Sequence, residues 1–271
     1  MTQAPLFDRK ALAAHRARIR PEALFLHEIA LDEVQDRLSM VNRTFTKPAI
    51  VSSLPEFWSN TLPDAKAISD DEVLDLEPNT HDLIVHAMAL HWANDPVGQL
   101  IQCRRALKED GLLLVVALGG QTLHQLRASL AEAETQLYGG LSPRVSPMAE
   151  IRDLGGLLQR AGLTLPVADV VPLTAEYRDL RHLMQELRGM GETNALTARS
   201  KRPSSRHLFA RAEQVYRDAY ATHEHRLPAT FELICLTGWS PSDSQPQPLR
   251  PGSAKARLAD ALKVPETKLP E

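Results

Sequence analysis

The chain has 271 residues, which is enough for one large domain with extensions. Its 31 basic and 34 acidic residues nearly balance, so electrostatics alone indicate neither a nucleic-acid partner nor a membrane partner. The apolar runs fall short of the about 20 residues that a membrane-spanning helix needs. Cys103 and Cys235 lie far apart in apolar stretches and are expected to be buried thiols. The sequence starts without a hydrophobic signal core, and we expect a cytoplasmic protein.

The N-terminal part is predicted to begin with helices. Residues 6–20 and 22–39 both carry apolar side chains at helical spacing, the second more clearly. Two short strands are expected at 47–52 and 65–69, with a short helix at 54–60 between them.

The stretch 81–118 is predicted to form a strand, a helix and a second strand. Leu83-Ile84-Val85 is typical of a strand buried on both faces, and Asp95-Pro96 favours the start of a helix. We expect Gly111 to end that helix, before an apolar strand at 112–118. A βαβ unit implies a parallel sheet with ligands beyond the carboxyl ends of its strands. Those ends are residues 86–92 and 119–122.

The remaining elements alternate in the same way. Helices are predicted at 121–137, 148–161, 178–188 and 205–221, and strands at 165–171 and 230–237. From residue 240 the chain is rich in Pro, Ser and Gln, with at most a short helix at 254–262. We therefore expect N-terminal helices at 1–42, an α/β domain at 43–239 and a tail at 240–271. A helical cap is expected within 121–160 and 178–225.

Many short motifs occur in one order along the chain and together resemble a known family. They are Asp70-Asp71-Glu72, Pro78, His81-Asp82-Leu83-Ile84-Val85, Leu90-His91-Trp92, Asn94-Asp95, Gly119-Gly120, Gly189-Met190-Gly191-Glu192-Thr193-Asn194 and Thr237-Gly238-Trp239. The chain resembles the alphaproteobacterial relatives of a mitochondrial complex I assembly factor, an arginine hydroxylase with a methyltransferase fold. These proteins are similar to the biotin-pathway carrier-protein methyltransferase. The resemblance implies a Rossmann-like class I methyltransferase fold, S-adenosylmethionine as cofactor and a protein partner.

One part of the family pattern is missing. The family has a glycine-rich turn after its first strand, where the backbone passes close to the cofactor. Here the first glycine of the chain is Gly98, and the corresponding turn reads Ser52-Ser53-Leu54-Pro55, followed by Phe57 and Trp58. The interval between 45 and 70 also has no room for the family's second strand and its ribose-binding acid. We expect a shortened N-terminal half and, for this reason, impaired cofactor binding.

The resemblance assigns candidate roles to particular residues. If the cofactor binds, the residues near it would be Asp70, Asp71, His86, Ala87, Leu90 and Trp92. His91 and His86 are the candidates for a catalytic base, and each could instead be a structural histidine. Contacts to a substrate or partner are expected from Gly120, Thr122, Glu192 and Asn194. Asp70 and Asp71 could instead cap the next turn. We find no metal-ligand spacing in the sequence.

Two functions remain open at this point. The first is an S-adenosylmethionine-dependent methyltransferase-like enzyme that acts on or with a protein partner. The second is a non-catalytic assembly or scaffolding factor that keeps the fold and has lost the cofactor site. The feature that distinguishes them is whether the segment from Ser52 to Trp58 leaves a cavity or fills it.

Overall fold

The computed structural model describes residues 4–62, 64–246 and 263. The chain divides into two compact units, Met1–Pro241 and Ser242–Glu271. The second unit is described only at 242–246 and 263, and the helix predicted at 254–262 lies outside the described residues.

The first unit contains the helices and strands of the fold. The helices are α1 (Arg9–Arg16), α2 (Phe25–Met40), α3 (Pro55–Ser59), α4 (Pro96–Ala106), α5 (His124–Tyr138), α6 (Ile151–Arg160), α7 (Leu180–Gly189) and α8 (Arg206–Tyr220). The strands are β1 (Pro48–Ser52), β2 (Lys66–Ile68), β3 (His81–Ala87), β4 (Leu107–Leu118), β5 (Thr164–Tyr177) and β6 (Leu227–Trp239). In the described residues, no helix is both long enough and apolar enough to cross a bilayer.

The strands form one mixed sheet in the order β2-β1-β3-β4-β6-β5. The first four are parallel, and β6 runs antiparallel to both β4 and β5. This confirms the predicted Rossmann-like α/β fold. The N-terminal half contributes only two strands before β3. They are β1 and the three-residue strand β2, which pairs with β1 and forms one edge of the sheet.

Helices cover both faces of the sheet, and the strands alternate their side chains between two apolar cores. On β4, Leu112 and Leu114 face the core that includes α2, α5, α7 and α8, whereas Leu113 and Val115 face the core that includes α4 and α6. Each fully buried leucine or valine contributes roughly 1.5–3 kcal/mol of hydrophobic stabilisation. The two cores hold the sheet between the helices, and the strands of the sheet position the loops at its carboxyl edge.

The predicted end of α4 at Gly111 is wrong. The helix ends at Ala106, and the next residue, Leu107, is already extended and pairs with His81 of β3. The left-handed conformation falls on Asp110, with φ of 57°. Gly111 lies within β4, where its carbonyl accepts a hydrogen bond from the Ser240 N–H at 2.8 Å. Pairing with neighbouring strands therefore outweighs the local helix-stop signal.

Candidate functional site

The carboxyl end of β1 is filled by the protein's own side chains. Ser52 is fully buried, and its hydroxyl accepts a hydrogen bond from the Leu54 N–H at 3.2 Å. Trp58 is also fully buried, and its Nε1–H donates to Nδ1 of His27 on α2 at 3.2 Å. Phe57 packs edge-on against His27, with ring centroids 5.7 Å apart. The segment from Ser52 to Trp58 therefore packs against the protein core.

The turn after β1 also lacks the backbone conformation that glycine provides. Among the described residues between 48 and 70, every φ lies outside the left-handed region, and each turn residue carries a β-carbon. Such a turn cannot pass as close to a ligand as a glycine turn can. The residues present therefore do not fit S-adenosylmethionine in the position that the family resemblance implies.

Asp70, the first of the two acidic residues, is held by arginines of α1. Arg16 binds its carboxylate with both terminal nitrogens, at 2.7 and 2.9 Å. Arg9 donates to the Asp70 carbonyl at 2.8 Å and lies 3.3 Å from the carboxylate. Burial alone would raise the pKa of Asp70, but the two guanidinium groups outweigh it, so the pKa is lowered. Asp71 is 75% exposed, so the two neighbouring acids have different environments.

The N-terminal segment (residues 6–16) lies across the carboxyl edge of the sheet. Phe7 exchanges hydrogen bonds with the Asn94 side chain, at 2.8 and 3.2 Å. The Asp8 N–H donates to the Ala195 carbonyl at 2.8 Å. The Phe7 ring packs edge-on against Trp92 with centroids 5.0 Å apart. Sequence reasoning missed this role. The spacing of seven between Arg9 and Arg16, which places both on one helix face, was the available signal.

His86 lies on the α4 side of β3 and is fully buried. Its Nε2 is 2.7 Å from Oε1 of Gln99 on α4, and Gln99 also donates to the Asp71 carbonyl at 3.0 Å. Burial is the largest influence on the pKa of His86 and lowers it. The neighbours Ala87 and Leu90 are buried in the two apolar cores. This environment favours packing roles for all three.

His91 and Trp92 meet Glu192, which lies about 100 residues later in the chain. Trp92 Nε1–H donates to Oε2 of Glu192 at 2.9 Å, and His91 Nε2 is 3.4 Å from the same oxygen. The Leu118 N–H donates to His91 Nδ1 at 3.3 Å, so the proton of a neutral ring lies on Nε2, toward Glu192. Burial is the largest influence on the pKa of Glu192 and would raise it, but His91, His27 and Arg16 together outweigh burial, so the pKa is lowered. The surroundings of this largely buried carboxylate, which is 10% exposed, therefore favour its ionised form.

A cavity of about 300 Å³ lies beside this cluster. Most of its wall is apolar: Leu26, Leu118, Leu123, Leu126, Leu130, Val145, Met148, Met184, Leu187, Phe209 and Phe231. Its polar lining comes from Trp92, Thr122, Arg144, Ser146, Glu192, Thr193 and Asn194. The structure therefore brings three of the predicted contact residues into one cavity: Thr122, Glu192 and Asn194. The fourth, Gly120, packs closely instead, because a β-carbon there would lie 2.5 Å from Oε1 of Glu150.

Two polar side chains that line this cavity already have partners within the protein. Arg144 binds Glu134 at 2.7 Å, so its charge is balanced. Asn194 donates to the Pro143 carbonyl at 2.8 Å, which fixes its amide. In the described part of the chain, no group of three His, Cys, Asp or Glu side chains is arranged to hold a metal ion.

Comparison with known proteins places the chain in a family. A methyltransferase-domain family model matches residues 50–115. The chain is 35% identical over 225 residues to "Arginine-hydroxylase NDUFAF5, mitochondrial" of Danio rerio, covering 83% of this chain and 70% of that protein. The chain belongs to the NDUFAF5 family, within the class I methyltransferase superfamily. It spans about two thirds of the length of the mouse and human NDUFAF5 proteins.

Two further similarities lie outside the NDUFAF5 proteins. The malonyl-[acyl-carrier protein] O-methyltransferase of Gallionella capsiferriformans is 30% identical over 72% of this chain and 63% of its own. The YcgJ protein of Bacillus subtilis superposes with a TM-score of 0.48 and 12% identity, over 80% of this chain and 100% of that chain. The NDUFAF5 relatives are named as mitochondrial, and the cytoplasmic location expected for this chain stays a prediction.

Proposed function

We propose that this chain acts on or with a protein partner by receiving an arginine side chain in the cavity beside Glu192, and that it does not transfer methyl groups from a cofactor bound beyond β1. The observation that carries the proposal is the Glu192 carboxylate in the lining of a mostly apolar cavity of about 300 Å³, where Trp92 donates to one of its two oxygens.

The chemistry of an arginine side chain suits this cavity. Its three methylene groups need an apolar wall, and its guanidinium needs a carboxylate acceptor in a fixed position. Leu126, Met184 and Phe231 supply such a wall. Trp92 donates to only one oxygen of Glu192, so the other oxygen can accept from a guanidinium.

The relatives support an arginine as the recognised group. The NDUFAF5 proteins are named as arginine-hydroxylases, and this chain is 35% identical to the Danio rerio protein. The resemblance to a complex I assembly factor supports a protein as the bearer of that arginine. Buried Ser52 and Trp58 fill the carboxyl end of β1, and Asp70 is paired with Arg16. Both observations support the absence of methyl transfer from a cofactor bound beyond β1.

The proposal is tested with peptides that carry one arginine, and with citrulline in its place as the matched control. Citrulline keeps the shape of the side chain but has no charge. We expect calorimetry to show saturable binding of the arginine peptide. The citrulline peptide should bind at least about tenfold more weakly, a loss of about 1.4 kcal/mol in binding free energy. Glu192→Gln, which retains an acceptor for Trp92, should weaken binding of the arginine peptide by a similar factor. Glu224→Gln, at an exposed surface position, should leave it unchanged. Equal binding of both peptides to the unaltered protein would refute the proposal.

A second candidate is S-adenosylmethionine-dependent methyl transfer, which the methyltransferase-domain match at residues 50–115 supports. Such a cofactor would have to bind elsewhere than beyond β1. A cleft of about 660 Å³ lies between the N-terminal segment and the loops at the carboxyl edge, lined in part by Arg9, Glu72, Asn94 and Gln99. Direct measurement of cofactor binding distinguishes the two candidates.

A further inference from the structure

Another cleft lies against a different face of α7 from the one that lines the apolar cavity. Met184 and Leu187 of this helix line the cavity. Gln185 and Arg188 line the other cleft instead, which has a volume of about 370 Å³. Its remaining lining residues are Arg18, Arg20 and Gly189, so three guanidinium groups surround one space.

The backbone around this cleft is fixed by short-range hydrogen bonds. The Arg20 N–H donates to the Gly189 carbonyl at 2.8 Å, and the Arg18 N–H donates to the His15 carbonyl at 3.1 Å. Gly189 is needed for this packing, because a β-carbon there would lie 2.8 Å from Nη2 of Arg20 and 2.7 Å from Cβ of Ala23. The absence of a side chain at Gly189 lets the Arg20 guanidinium lie against the end of α7.

The positive charges of this cleft are poorly neutralised. Among the described residues, neither Arg18 nor Arg188 has an ion pair within 4.0 Å. Arg20 faces Glu22 at 3.5 Å, but both side chains are exposed and such pairs contribute little. The pKa of the nearby His15 is lowered, and burial is the largest cause. The positive charges of Arg18, Arg199 and Arg188 lower it further.

We propose that this cleft binds a phosphate group, either as inorganic phosphate or as part of a small phosphate ester. Arginine presents its N–H groups in a planar fork that matches phosphate oxygens, and three arginines favour a ligand with more than one negative charge. A phosphate monoester carries about −1.5 to −2 charges near pH 7, whereas a single carboxylate carries one. The cleft volume of about 370 Å³ leaves room for an organic substituent beside the phosphate.

The test measures phosphate binding to the full chain by calorimetry and ³¹P NMR at constant ionic strength, with inorganic phosphate and glycerol 3-phosphate as probes. The variant Arg18→Ala/Arg188→Ala removes two exposed charges of the cleft. The control Arg105→Ala/Arg152→Ala removes two exposed charges elsewhere. We expect saturable binding to the unaltered protein, a loss of at least about tenfold in the cleft variant, and no loss in the control.

Two results would overturn the inference. They are no saturable binding of either probe up to about 10 mM, and an equal loss of binding in both double variants. Glu192→Gln should leave phosphate binding unchanged, because Glu192 lies in the other cavity. A failure of the arginine-binding proposal is thereby separate from a failure of this one.

Discussion

His27 of α2 and Trp58 of α3 form a buried contact. Because Trp58 Nε1–H donates to His27 Nδ1, the His27 ring must be neutral with its proton on Nε2. Burial is the largest cause of its altered acidity and lowers the pKa of His27 to about 4. Glu192 opposes this shift, whereas His91 and Arg16 reinforce it. The pair therefore resists protonation in mildly acidic solution.

His27 should give the protein an acid-sensitive stability. Its folded pKa lies below the unfolded value of about 6.5, so acid protonates the unfolded chain first. The stabilisation is complete above pH 6.5 and is lost as the pH falls toward 4, by roughly 2–4 kcal/mol. In His27→Asn the amide oxygen can still accept from Trp58 but does not titrate there. Urea unfolding at several pH values should show a steeper loss for the unaltered protein than for the variant. Parallel curves would contradict this account.

Trp58 should be among the side chains that contribute most to stability. Trp58 belongs to α3 and is fully buried in the core that includes α2, so Trp58→Ala leaves a large cavity and leaves His27 without its donor. We expect the free energy of unfolding to fall by about 3–5 kcal/mol, measured by urea denaturation. Val73→Ala, at a position that is 81% exposed, serves as the control and should change it by less than about 0.5 kcal/mol. A loss below 1 kcal/mol for Trp58→Ala would show that the indole is not packed as described.

At the scale of elements, α1 is held to the sheet edge by ion pairs with one buried carboxylate. Arg16→Ala would leave Asp70 with Arg9 alone, and we expect a loss of about 3 kcal/mol in unfolding free energy. Arg18→Ala, two residues later and exposed, should be close to neutral. Hydrogen exchange should show faster exchange of the Leu12 amide in Arg16→Ala, since its carbonyl partner Asp8 belongs to the same segment.

A double variant distinguishes the ion pair from other effects of Arg16. Adding Asp70→Asn to Arg16→Ala removes the unpaired buried charge, so it should restore part of the lost stability. If the two single effects simply add, the coupling between Arg16 and Asp70 is not the cause.

At the scale of the whole molecule, the local patterns predicted the fold because each element carried its own signal. The run at Leu83-Ile84-Val85 and the cap at Asp95-Pro96 correspond to β3 and α4 as expected. The end of α4 could not be predicted in this way, because it depends on β4 pairing with β3 and β6.

The candidate site was predictable only in part. The motifs pointed to His91, Trp92 and Glu192 separately, whereas their contact joins positions about 100 residues apart. The pairing of Asp70 with Arg16 depends on a helix 54 residues earlier, and the orientation of His86 toward Gln99 depends on the packing of α4. Contacts of this kind arise from the tertiary fold, so they cannot be predicted from local patterns in one sequence.

The most direct test of the central claim is calorimetric titration of the full chain with S-adenosylmethionine and S-adenosylhomocysteine, supported by thermal shift. Because Ser52 and Trp58 are fully buried and Asp70 is bound by Arg16, we expect no saturable binding of either compound up to about 1 mM. Saturable binding in the micromolar range would contradict the account. It would mean that the cofactor binds elsewhere at the carboxyl edge, and that methyl transfer replaces arginine recognition as the leading function.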